Sequence, residues 1–251
     1  MSVATHPASF ATRVRTIYRE SWDLFRHHFG FIVGSAACIL LPFAILDGLG
    51  LLVVDVGGHS LVVGLLLVVV TTATAGLSGL AAIFYAGVLD HTVAAWIDDT
   101  TAPTRRSVAG RLPWGQLVLA SVLGFVVEVI GVALFVVPGL ILATLLILTG
   151  PVLVGEHLRA VPAMRRSAQL VRRAPVLVVV AVAIPMFVEA SLADLAGLVL
   201  GHEIVAELLI ETVVTLFAAS FVGVLEVATA HYLRDAYPPD PSEPVRAPEI
   251  L

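Results

Sequence analysis

The chain contains no lysine, a single cysteine and few charges of any kind, 13% of its residues. Each scarcity excludes something. With 59% hydrophobic residues over 251 positions, there is too little polar side chain to clothe a water-soluble globule of this size, so the composition predicts a membrane protein. One cysteine, Cys38, set inside an apolar run, excludes an intramolecular disulfide and leaves the redox compartment unread. Basic residues without interleaved aromatics argue against nucleic-acid binding. The missing lysine makes arginine the sole carrier of positive charge, and none of the fourteen arginines falls inside an apolar run.

Apolar runs of membrane-crossing length recur from Phe29 to the region of Ala230, which predicts one membrane domain. The polar, arginine-bearing first 28 residues and the long apolar run after them argue against a removable signal peptide. Residues 1–12 are expected to be flexible. Val14, Ile17, Tyr18, Ser21 and Phe25 recur at helical spacing opposite Arg15, Arg19 and Arg26, so residues 13–27 read as an amphipathic helix lying on the membrane surface. A second such helix is expected over residues 162–173, where Arg165, Arg166, Gln169, Arg172 and Arg173 oppose Ala163, Met164, Leu170 and Val171.

Between and after these helices the pattern predicts six spans. They run over about 29–54 with a kink at Pro42, about 61–88 continuing as helix to Asp99, about 114–137, about 140–155 with a kink at Gly150-Pro151, about 175–200, and about 203–230. Pro138-Gly139 is expected to make a tight turn. The tail from Tyr237 to Leu251 carries five prolines and reads as disordered. The expected fold is therefore all-α, a polytopic helix bundle of six transmembrane helices in three hairpins with cytoplasmic amphipathic helices, occupying residues 13–236. On this topology every arginine falls on one side, and arginine excess marks the cytoplasm, so both termini are expected there.

Two stretches align without a gap. Residues 19–27, RESWDLFRH, match 165–173, RRSAQLVRR, in Arg, Ser, Leu and Arg. Residues 85–90, YAGVLD, match 221–226, FVGVLE. The alignment predicts an internal repeat, 13–99 against 159–235, with residues 103–158 as a shortened middle copy that Arg105-Arg106-Ser107 opens and Glu156 closes. Asp90, Glu156 and Glu226 then form an acidic set at the cytoplasmic boundary.

From Pro138 to Val180 the sequence resembles the glycerophosphoryl diester phosphodiesterase membrane-domain family and related six-span bacterial inner-membrane proteins. Pro138-Gly139-Leu140, Pro151 to Val154, Glu156, Ala163 to Ser167 and Leu170 carry the resemblance. The family's aromatic after the serine is Ala168 here, and the chain has no room for a phosphodiesterase domain. The resemblance thus implies a membrane fold in the bacterial inner membrane, without diester hydrolysis.

The sequence carries few residues in patterns that point to chemistry. His202-Glu203 opens like a zinc-protease helix, but Ala206 stands where the second histidine belongs, so no metal or cofactor is expected. Gly58-His59-Ser60 lacks the closing glycine of a nucleophile elbow. Glu128 and Glu189 fall near the middle of apolar spans, and Glu211 lies deep in the last one; such carboxylates are costly in lipid and mark candidate proton or polar-substrate sites. The stripe Arg165, Arg166, Arg172 and Arg173 is a candidate contact for anionic lipid headgroups. These features predict a non-enzymatic accessory or scaffold protein that contacts anionic lipid or a membrane-protein partner. A proton-coupled transporter built on the intramembrane carboxylates is the alternative.

Overall fold

The computed structural model describes residues 9–42, 81–93, 96, 110, 112–134, 136–189, 191 and 204–238, and all regular structure among them is helical. The turn expected after span one, the arginines at 105, 106 and 111, and residues 192–203 lie outside the described residues.

Helix α1 spans Phe10–His27. Ser9 caps it, its hydroxyl accepting from the Thr12 backbone N–H at 3.3 Å. Arg26 and His27 sit in the last turn, where cations complement the helix dipole. One face, Ile17, Ser21 and Phe25, is buried, while Arg15, Arg19 and Arg26 are exposed. After a one-residue break at His28 the chain turns by 87° into α2, Phe29–Pro42. His28 lies flat against Trp96, ring centroids 3.7 Å apart. Burial, and then the neighbouring His27, hold its imidazole below the usual range.

The next described helix is α3, Ala81–Val93. Helix α4, Trp114–Leu134, packs on α5, Val136–Leu146, as a hairpin. The tight turn expected at Pro138-Gly139 is not found there. Pro138 is instead the third residue of α5, inside the first helical turn, where a missing N–H costs nothing. The kink expected at Gly150-Pro151 takes the form of a break at Ile147-Leu148 before α6, Thr149–Gly155. Pro151 has no N–H to offer the carbonyl four residues back, so the helix parts one turn upstream of the proline.

Helix α6 ends in a Schellman motif: the Leu158 N–H donates to Leu153 O at 3.0 Å and the His157 N–H to Val154 O at 3.3 Å. His157 takes the left-handed position with φ 52°, a place that glycine usually fills. The amphipathic helix α7, Ala160–Arg173, follows, and Gln116 of α4 accepts from its first N–H at 3.1 Å. At Ala174 the chain turns by 101° into α8, Pro175–Glu189. A residue before proline is driven out of the helical region, and proline fits the first helical position, so the sequence Ala174-Pro175 places this corner.

Helix α8 widens into a π-helical turn over Val179–Ala183. There the Val180 carbonyl accepts from the Tyr18 hydroxyl of α1 at 3.1 Å. Burial raises that hydroxyl above its usual range, which keeps it a donor. Last comes α9, Ile204–Ala236. Its stretch Thr212–Ala236 has mean hydropathy 2.0 and is long and apolar enough to cross a membrane. Counting each bent pair, α1 with α2 and α7 with α8, as one span raises the number of candidate crossings among the described residues to three.

Two clusters form the interior. One gathers Ile17, Leu117, Leu148, Val152, Leu153, Leu170, Val178 and Leu225; the other gathers Phe25, Ile32, Tyr85, Leu89, Val93 and Val224. Between helices in lipid, close backbone approach replaces the hydrophobic effect as the source of packing energy, and glycines provide it here. A Cβ on Gly150 would stand 2.6 Å from the Ile83 carbonyl of α3, and one on Gly223 would stand 2.5 Å from the Tyr85 ring. Tyr85 is buried between the helices it joins, its hydroxyl donating to Ile32 O at 3.3 Å and Ser220 O at 3.4 Å. Helices α3, α6 and α9 are thereby held together at the end where their carboxylates sit.

Candidate functional site

The polar groups of the described structure collect where α3, α6, α7 and α9 end. Asp90, 2% exposed and in the last turn of α3, accepts from Arg234 of α9 at 2.7 Å. The same guanidinium donates to Pro151 O of α6 at 3.2 Å, so one cation ties three helices. It lies directly over Gly155, and any side chain at that position would occupy its place. Glycine at the end of α6 is therefore a condition of the ion pair.

Glu156, the residue after α6, accepts from Nε of Arg166 of α7 at 3.1 Å, and both side chains are largely buried. The Schellman turn fixes this carboxylate by reversing the chain directly after it. Arg166 also donates to the Tyr237 carbonyl at 2.6 Å, and Arg173 lies over the Tyr237 ring. The first residue of the predicted disordered tail is thus held against α7.

Of the sequence-predicted acidic set, Asp90 and Glu156 each close an ion pair at this end of the bundle. Glu226 of α9 is buried, 8% exposed, with no hydrogen-bonding partner among the described residues. Arg166 serves Glu156 and Arg234 serves Asp90, while Arg19 is exposed on α1. Of the arginine stripe, Arg165 and Arg172 are exposed, and Arg166 and Arg173 make the contacts described above. Glu189 is half-buried in the last described turn of α8. Glu128 and Glu211 lie along α4 and α9, and their side chains are outside the described residues.

Sequence reasoning missed Arg234, Gly155 and His157. Asp90 and Arg234 are 144 positions apart, and only the crossing of α3 with α9 brings them together. A signal did exist in the alignment of YAGVLD with FVGVLE, whose shared glycine marks a close approach in each stretch: Gly87 against Leu117 and Val154, Gly223 against Tyr85.

Chemically, the junction is a set of closed ion pairs. Among the described residues no three His, Cys, Asp or Glu side chains stand together as metal ligands would. Among the described residues, three buried side-chain polar atoms, Ser21 Oγ, Trp96 Nε1 and Thr229 Oγ1, have no hydrogen-bond partner. No protein-family profile, curated protein or solved structure matches the chain. The resemblance of Pro138 to Val180 to the phosphodiesterase membrane-domain family accordingly rests on the residues that carry it.

Proposed function

We propose that the chain is a six-span protein of the bacterial inner membrane with both termini in the cytoplasm, built from repeated units. On this reading it serves as an accessory or scaffold protein whose basic helices engage anionic lipid or a membrane partner. The observation that carries the reading is the likeness of its two corners. Ile17, Ser21 and Phe25 of α1 are buried, and so are Ala163, Ser167 and Val171 of α7, each 146 positions later. Both helices expose arginines, both break at one residue, and both turn by 87° to 101° into an apolar helix. A charged amphipathic helix set at nearly a right angle to an apolar one has the form of a surface helix feeding a span. The arginine side of each corner then faces the anionic cytoplasmic leaflet, where a surface-proximal arginine gains about 1 kcal/mol.

The transporter reading draws on Glu128 and Glu189, which sit in the apolar helices α4 and α8. Reconstitution separates the two. In mixed vesicles at low salt, neutralising Arg165, Arg172 and Arg173 to Gln is expected to lower the anionic lipid enriched around the protein several-fold, while Glu128→Gln with Glu189→Gln leaves it unchanged. Proton flux through the wild-type protein that the glutamine variant abolishes would overturn the scaffold reading.

A further inference from the structure

Helix α1 carries a feature that the α7 stripe lacks. Along its outer edge, against α8 and α9, runs a groove of about 660 Å³. Its floor and walls are apolar: Val14 and Trp22 of α1, Val180 of α8, Phe221 of α9. The groove is of ligand size, within the ~300–1,000 Å³ of small-molecule clefts, and open along its length. The groove has a built wall. Trp22 packs edge-on against Phe221 at 5.9 Å, and the Tyr18 hydroxyl is fastened to Val180 O, so α1 is pinned to α8 beside it.

Two of the residues that line this apolar space are cationic. Arg15 and Arg19 are one helical turn apart on α1, both exposed, with no carboxylate partner among the described residues. The interior-facing arginines, Arg166 and Arg234, are by contrast both matched to carboxylates. An apolar trough with two unmatched guanidinium groups at its rim, on a helix at the headgroup level, is complementary to one kind of molecule: a long apolar chain ending in an anionic group. Arginine forks suit phosphate oxygens in particular.

We infer that the α1 groove binds one anionic phospholipid, an acyl chain lying against Val14, Val180 and Phe221 and the phosphate held between Arg15 and Arg19. The inference rests on the membrane reading above, with α1 at the cytoplasmic surface, and gives it a defined lipid site. Lipid in this groove is held by apolar burial as well as charge, so it resists salt. Lipid gathered by the exposed stripe of α7 is released once the Debye length shrinks to about 3 Å at roughly 1 M salt.

The test is native mass spectrometry of the full chain, taken from vesicles of phosphatidylcholine and phosphatidylglycerol and washed in high salt. One phosphatidylglycerol per chain is expected to remain. Arg15→Gln with Arg19→Gln should weaken its binding about thirtyfold, as loss of two surface-proximal charges implies. Ala11→Trp fills the groove from an exposed position of α1 without changing charge or core, and should do the same. Arg165→Gln with Arg172→Gln should leave the salt-resistant lipid in place. Retention in both groove variants, or no salt-resistant lipid alongside persistent low-salt enrichment, would overturn the groove while leaving the broader reading intact. Absence of phosphatidylglycerol enrichment at any salt would overturn both.

Discussion

At the scale of single residues, the junction depends on Arg234. Its guanidinium is 2.7 Å from Asp90 and 3.2 Å from the Pro151 carbonyl, with Gly155 beneath it. Both side chains are nearly enclosed, at 12% and 2% exposed. Removing one partner of such a pair strands the other as an unpaired buried charge, and the cost is about 3–5 kcal/mol. Asp90→Ala is therefore expected to destabilise the folded state by that amount in detergent unfolding, and Arg234→Met added to it should restore part of the loss. Equal destabilisation by the single and double variants would mean that the stranded Arg234 charge carries no penalty. The sequence made Asp90, Glu156 and Glu226 legible as carboxylates ending apolar helices. It did not reveal that Asp90 pairs with Arg234, because that pairing depends on helix crossings that Gly150 and Gly223 permit and that composition does not encode.

At the scale of elements, periodicity located the amphipathic helices to within three residues at their starts: 13 became Phe10 and 162 became Ala160, with both ends as expected. Prolines were harder to place. Pro138 reads in isolation as a turn and proves to be first-turn helix, and Pro151 acts one turn upstream of itself. The same residue type can start, break or sit quietly at a helix end, and the neighbouring packing decides which. His157 shows the converse, a left-handed residue that no glycine announces. Its position costs an L side chain about 1 kcal/mol relative to glycine. His157→Gly is expected to stabilise the α6–α7 turn by about that much, read as a raised midpoint of thermal unfolding. A lowered midpoint would show that the imidazole contributes an interaction exceeding the backbone strain.

At the scale of the whole molecule, the helical class and the membrane-crossing capacity of the last helix were both legible from apolar length alone. The buried residues of the two corners keep one register across 146 positions, and the proposed repeat draws on that likeness. Exposure also divides the arginines by task. Arg166 and Arg234 hold helices together, whereas Arg15, Arg19, Arg165 and Arg172 face outward. The count of fourteen arginines conceals this division among the described residues.

The central claim is that the chain crosses the membrane six times with every arginine on the cytoplasmic side. Fusion of a reporter active only outside the cytoplasm tests it directly. Placed near Gly57 the reporter is expected to be active, and placed near Arg166 it is expected to be silent; activity at Arg166 with silence at Gly57 would contradict the account.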